Sequence, residues 1–392
     1  MHILMVHNEY GRPSGEEHAL RAIGELLQNH GHEVFWFLKS SKDIGHSLIG
    51  KTKAFFSGIY SPGSRAEMVR LLDGKKVDVV QVQNLYPLLS PSVLGPCRER
   101  RIPIVMRCPN YRMFCPNGLH LCKGIVCERC LGGKEWWCVL KNCEDNISKS
   151  LGYAVRSAVA RFTRMIINNV TIFVVLSEFQ KKRFVAGGIE PERVAIIPNI
   201  SSHNRSPNME QLGDAISFVG RLSPEKGVLD FLKAASLLPQ YNFTVAGDTS
   251  SMAEIMHNTG SNITFLRYVT DERLDAFYRH SRIVVLPSLC FEGFPNVIVR
   301  AMIESKPVIA SRIGALPEIV EDGKTGLLFE PGNARDLANK IRYLLEHPDL
   351  CRKMGKAGRE KAMMMYHPEA IYAQLIAVYE KAIYMEKGKR LR

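Results

Sequence analysis

Two cations and one carboxylate sit where this chain is best placed to do chemistry. Arg221 and Lys226 stand in Phe-Val-Gly-Arg-Leu-Ser-Pro-Glu-Lys-Gly at 218–227, and Glu292 in Phe-Glu-Gly-Phe-Pro-Asn at 291–296. Each run follows apolar β-branched residues and leads into helical periodicity. In an open α/β sheet ligands lie beyond the carboxyl ends of the strands, so such side chains are aimed at a crevice. A guanidinium and an ammonium beside the free amides of a helix start suit a diphosphate without a metal. A solvated turn before a surface helix is the plainer reading of the cations taken alone; the Glu292 loop argues against it. Glu292 itself reads either as an acid favoured by the helix macrodipole or as an acceptor for sugar hydroxyls beside Gly293. The second reading is preferred, with Pro295 expected at the first helical position.

Two further groups carry weaker signals. A first strand at 2–7 leads through Asn8 to Gly15 and Glu16, where Gly15 at a helix start would admit a phosphate or an acceptor. A simple turn fits that segment as well. Gly-x-Gly-x-x-Gly occurs nowhere, and Gly323-Lys324-Thr325 lacks the upstream glycine of a phosphate loop. Eight of the 10 cysteines lie between Cys97 and Cys143. Cys127 and Cys130 have the two-residue spacing of a zinc knuckle, and Cys115 with Cys143 would complete a structural four-thiolate site. Cys122 and Cys138 are substitutes, and a set of reduced, partly buried thiols is the alternative. No mixed His and carboxylate set accompanies them, so a catalytic metal is not expected.

The elements that must position these groups alternate, strand with helix, along nearly the whole chain, the pattern of parallel sheets with crossover helices. Strands are expected at 2–7, 33–38, 77–83, 103–107, 172–176, 194–197, 215–219, 243–246, 263–266, 283–286 and 308–310. The polar stretch 201–213 is the best linker. The expected class is α/β, with two Rossmann-like domains facing each other across a cleft. The first spans 1–205, carries a Cys-rich insert at about 108–148 and is completed by a last helix at 367–392; the second spans 206–366. The chain has 392 residues, 46% hydrophobic and 23% charged, which describes a globular protein of two ordinary domains. No run reaches the roughly 18–20 apolar residues of a membrane span, and the N-terminus is too short an apolar run for a signal peptide, so a cytoplasmic chain is expected. The net charge of +13 is spread out, with clusters at 98–101, 156–164 and 381–392. It suits general solubility or an anionic membrane surface, and without an arginine-rich tail or a basic-aromatic motif it does not suggest nucleic acid. The basic amphipathic helix around 152–167 reads as an ordinary surface helix, with membrane contact as the sharper alternative.

Together these residues resemble family-4 glycosyltransferases of the GT-B fold, of the bacterial surface-polysaccharide and lipopolysaccharide type. The likeness runs through Gly15-Glu16-Glu17, Gly31-His32-Glu33-Val34, Asn84-Leu-Tyr-Pro, Asn110-Tyr-Arg-Met-Phe-Cys-Pro and Val126-Cys-Glu-Arg-Cys in the first half. In the second it runs through Gly220-Arg221, Lys226-Gly227, Glu292-Gly-Phe-Pro-Asn and Pro317-Glu318-Ile319-Val320. The resemblance implies retaining, metal-independent transfer from a nucleotide-diphosphate sugar to a saccharide or lipid-linked acceptor. By it Arg221 and Lys226 bind the donor diphosphate, and Glu292 holds donor-sugar hydroxyls. Gly220, Gly293, Phe294, Pro295, Asn296 and Arg300 line the donor, and Gly15, Glu16 and Asn110 belong to the acceptor side. No catalytic cofactor is implied; a structural zinc and a peripheral contact with the inner face of the membrane stay open. The chain departs from the family at Arg300, where a second Glu is usual, and at Pro109 and Gln83, where histidines are usual. A weakened homologue that binds nucleotide sugars without turnover is the alternative, and a zinc module binding nucleic acid a more distant one.

Overall fold

The computed structural model describes residues 1–11, 15–44, 47–200, 213–250, 256, 259–266 and 269–388. The expected linker 201–213, except Gly213, and the end of the basic cluster at 381–392 lie outside the described residues. Two compact units result: Met1–His120 with Cys127–Ile200 and Pro368–Arg392, and Ser201–His367 with Leu121–Val126.

The first unit is built on strands β1 (His2–Glu9), β2 (Glu33–Ser40), β3 (Val79–Val82) and β4 (Ile104–Arg107). It continues with β7 (Ile172–Val175) and β8 (Val194–Ile196); the small antiparallel hairpin between, β5 (Leu121–Cys122) with β6 (Ile125–Val126), belongs to the second unit. All but the hairpin pair in parallel, in the order β2-β1-β3-β4-β7-β8. The central strands β3, β4 and β7 are buried along their whole length because both faces are covered. Side chains alternate at period two. Ile3 and Met5 point to one layer, with Val79, Val105, Ile172, Leu20, Ile23 and Leu27, and there the last helix, Pro368–Gly388, contributes Ile371, Leu375 and Tyr379. Leu4 and Val6 point to the other, with Val80, Val82, Met68, Leu72 and Phe184.

The second unit carries β9 (Ala215–Val219), β10 (Phe243–Ala246), β11 (Ile263–Leu266), β12 (Ser281–Leu286), β13 (Val308–Ser311) and β14 (Gly326–Phe329). Their order is β11-β10-β9-β12-β13-β14, all parallel. Ile216, Phe218, Val245, Ile283 and Ile309 pack with Phe231 and Leu232 from the helix Val228–Ser236 and with Leu337, Ile341 and Leu344 from Ala334–Glu346. β14 is the one strand of this sheet absent from the sequence reading. Its four residues open on Gly326, where a Cβ would stand 2.1 Å from the Val308 carbonyl oxygen, so only glycine lets this edge approach β13.

Candidate active site

In the second sheet the connections run one way from β9 through β10 to β11, then return past β9 to β12. The gap beyond the ends of β9 and β12 is the topological switch point, where ligands of open α/β sheets bind. The loops leaving these two strands carry Arg221, Lys226 and Glu292, and they are fastened together. Pro224–Lys226 forms a single 3₁₀ turn ending at Gly227, whose φ is 70°. A Cβ at Gly227 would lie 1.7 Å from the Pro287 carbonyl oxygen, so glycine is required both by conformation and by the nearness of the second loop. The Leu289 amide donates to the Glu225 carbonyl at 2.9 Å and completes the strap.

The Lys226 ammonium donates to Glu292 Oε1 at 2.6 Å, and the Ser288 hydroxyl donates to the same oxygen at 2.5 Å. Burial opposes charge on both partners. For Glu292, Lys226, Ser288 and Arg221 outweigh it and hold the carboxyl below the usual carboxylate range. For Lys226, Glu292 outweighs it and raises the ammonium. The pair is therefore ionised. Both hydrogen bonds fall on Oε1, so Oε2 keeps its acceptor capacity. Cys290, beside the pair, is pushed up to about 12 by burial and by Glu292, which leaves it a neutral thiol rather than a nucleophile.

Arg221 is placed differently. Its side chain is 69% exposed and meets Glu225 at 3.2 Å, while Glu225 also accepts from Ser223 at 2.6 Å. Gly220 before it has φ of 151° and nothing within 4 Å of where a Cβ would be, so the backbone is open to a ligand there. Arg221 lowers the readiness of Lys226 to hold its proton, which puts the two cations in one electrostatic neighbourhood. The helix after Glu292 begins at Asn296, not Pro295: proline takes the capping position one residue earlier, and no side chain caps that end. The positive end of the helix dipole lies at this start. Asn296 is exposed, Gly293 half-buried, and Phe294 is buried edge-on against Tyr366 at 5.0 Å. Arg300 is turned to the helix Asp271–His280, where Asp275 accepts from it at 2.7 Å and the Tyr278 ring lies 5.7 Å away. Its charge is met within the unit. The sequence reading assigned Lys226 and Glu292 separately and gave Ser288 no role, although Pro287-Ser288 directly follow β12.

The first sheet has its own switch point, between β1 and β3. Tyr10 donates to Glu16 Oε2 at 2.8 Å and accepts from Arg112 at 3.1 Å; Arg112 also donates to Asn84 at 3.1 Å, and Gln83 to the Glu16 carbonyl at 2.9 Å. Burial raises the Glu16 carboxyl, against the pull of Arg112 and Tyr10. Gly15 opens the helix Gly15–Asn29 and is exposed; Arg12, Pro13 and Ser14 lie outside the described residues. Gln83, Pro109, Asn110 and Arg112 share the wall of one cavity with Phe114 and Ile167. Asn110 also shapes the wall itself, accepting from the Arg112 amide at 3.1 Å. Arg112 and Tyr10 were not singled out as site residues, since only the fold brings them 102 residues together.

The cysteine expectation needs correction. No disulfide joins any of the ten cysteines, and among the described residues no three His, Cys, Asp or Glu are grouped to hold a metal ion. Cys115, Cys127, Cys130 and Cys143 are thus not drawn into a four-thiolate site. Cys115 donates to Asn117 at 3.0 Å, and Cys130 packs with Cys138, Ala154 and Cys143 in a small apolar cluster. Burial, then the neighbouring thiols, push Cys130 up to about 12, so it stays protonated. The insert is held by ion pairs instead: Arg161 with Glu135 at 2.7 Å and Arg183 with Glu128 at 2.9 Å.

Residues 204–361 match the family model described as glycosyl transferases group 1. An uncharacterized glycosyltransferase of Methanocaldococcus jannaschii is 40% identical over 147 residues, 36% of this chain and 41% of that protein. Phosphatidyl-myo-inositol mannosyltransferase of Mycobacterium leprae is 27% identical over 62% of this chain and 67% of its own length. The chain thus spans less than half of the first of these relatives. Among solved structures, HepE of Anabaena in complex with UDP superposes with a TM-score of 0.66 at 20% identity, covering 97% of this chain and 100% of that one. The fold is GT-B, as read from the sequence.

Proposed function

We propose that this chain transfers a sugar from a nucleoside-diphosphate donor to a saccharide or lipid-linked acceptor, retaining anomeric configuration and using no catalytic metal. The observation that carries the reading is the ionised Lys226–Glu292 pair at the second sheet's switch point, with Arg221 beside it and open to solvent. A departing diphosphate gains negative charge at its bridging oxygen. Fixed cations, together with uncapped amides at a helix start, stabilise that charge without having to reorganise. Glu292 orients Lys226 through Oε1, and its Oε2 accepts hydroxyl hydrogens of the donor sugar. The group 1 relatives and the UDP complex of HepE support a nucleotide-linked donor, and the capsular polysaccharide glycosyltransferase CapM of Staphylococcus aureus, 24% identical over 44% of this chain, supports a glycan product. Acceptor binding falls to Gln83, Asn84, Asn110 and Arg112 of the first unit. No described helix is long and apolar enough to cross a membrane, and we assign the protein to the cytoplasm.

The test is turnover with a panel of nucleotide sugars and product analysis by NMR. Transfer with α-product from an α-linked donor, undiminished by chelator, is expected. Binding of UDP- or GDP-sugars without transfer or hydrolysis by any of them would make the chain a nucleotide-sugar-binding homologue instead, a reading favoured by the pairing of Arg300 with Asp275.

A further inference from the structure

The outer side of the helix Ile147–Phe162 is apolar where a surface helix should be polar. At roughly 100° per residue, Ile147, Leu151, Val155, Ala158 and Phe162 fall on a single stripe. Ile147, Leu151 and Phe162 are 56%, 47% and 74% exposed. The helix has neighbours on both flanks. On one side Gly152 lies against Phe55 of the helix Leu48–Ile59, a Cβ there being 3.3 Å from the ring. On the other side Ala154 packs with Cys138 of the helix Trp136–Leu140, and Arg161 binds Glu135. The stripe faces outward between them, and each neighbour adds exposed apolar residues: Phe56 at 62% from one, Trp136 at 51% and Leu140 at 68% from the other. The side of the same helix turned away from the stripe, through Ser157 and Ala160, walls the cavity of the first unit.

The charge around this surface is one-sided. Across 48–59 and 134–164 the sequence has eight Lys and Arg against three acids. Two of the acids, Glu135 and Glu144, are taken by Arg161 and Lys149, whereas Lys53, Lys134 and Arg164 are exposed. Apolar side chains on a three-helix face, rimmed by cations, match the boundary of an anionic bilayer: the chains enter the acyl region and the cations meet the headgroups. Soluble proteins seldom leave so continuous an apolar surface uncovered.

We propose that this face, formed by Phe55, Phe56, Trp136, Leu140, Leu151 and Phe162, docks the first unit on an anionic lipid surface. The proposal goes beyond the transfer reaction and stands whether or not the chain proves to be a transferase. It is tested with the full chain by sedimentation with vesicles of phosphatidylglycerol mixed into phosphatidylcholine, against pure phosphatidylcholine vesicles. The mixed vesicles should bind it at least about tenfold more tightly, and added salt should weaken that binding. The triple variant Phe56→Ser, Leu151→Ser, Phe162→Ser should lose most binding while keeping its melting temperature, all three side chains being exposed; Lys53→Glu with Lys134→Glu should lose the preference for anionic lipid. Equal binding to both vesicle types, or binding unchanged in the triple variant, would overturn the proposal. So would a concentration-dependent dimer in sedimentation velocity that the triple variant abolishes while vesicles go unbound, because the covering partner would then be a second copy of this chain.

Discussion

Replacing Lys226 by alanine tests the site and its electrostatics together. At 2.6 Å and an effective dielectric of about 20, Coulomb attraction is about 6 kcal/mol, most of it offsetting the desolvation of two ions. Taking away one partner leaves the other buried: Glu292, 10% exposed at its side chain, keeps only the Ser288 hydroxyl. The expected loss is about 3 kcal/mol, or about 6–12 °C in the melting of a unit this size. The pH dependence is more telling. In the native protein Glu292 is held low, so its contribution is complete above the usual carboxylate range and is lost only as pH falls through the folded value. Lys226 is held high, and its contribution is lost only as pH rises through its folded value in alkali. Between about pH 5 and 9 the pair gives no slope. Without Lys226, burial raises Glu292 against the weaker pull of Ser288 and Arg221, so the folded state holds a proton that the unfolded state releases, and stability falls as pH rises above the usual carboxylate range. Differential scanning fluorimetry across that range, with Lys226→Met/Glu292→Gln as the neutral control, measures it. A Lys226→Ala variant with the native slope, and a melting point within a degree or two of native, would refute the reasoning; titration with UDP should separately show about 1.5–3 kcal/mol of lost affinity.

Three further outcomes are expected. Gly227→Ala should cost more than about 3 kcal/mol in urea unfolding, since a left-handed residue acquires a Cβ where the Pro287 carbonyl stands. Arg221→Ala should leave stability within about 0.5 kcal/mol because its ion pair is exposed, yet weaken UDP binding about tenfold by calorimetry. Arg300→Glu, which restores the usual family residue, should destabilise by about 2–4 kcal/mol by setting a carboxylate against Asp275, and Asp275→Asn in the same chain should recover most of it.

Fold class and the loops of the second site were legible because β9, β10 and β12 are short apolar runs followed directly by glycine or proline, with helical periodicity further on. What escaped was pairing at a distance. Lys226 and Glu292 are 66 residues apart, and local sequence says only that each ends a strand, not that their loops lie against each other. The ion pair of Arg300 with Asp275 was likewise not legible, because Asp275 stands on another element. The cysteines misled for a related reason: two-residue spacing fixes half a tetrahedron, but the other half depends on how a loop of some forty residues folds, and here it folds around ion pairs and packed thiols.

The last helix has a consequence for how the protein is made. Ile371, Leu375, Tyr379 and Ala382 fill the layer beneath Ile3, Met5 and Val105, and the Tyr379 hydroxyl donates to Gln81. Every residue of the second sheet leaves the ribosome before these do. A nascent chain therefore carries the first sheet with part of one side bare, covered only by Leu20, Ile23 and Leu27, until synthesis passes residue 382, and the later half has every chance to finish folding first. Hydrophobic surface left waiting that long is what chaperones bind, so this chain should depend on them more than its size alone would suggest.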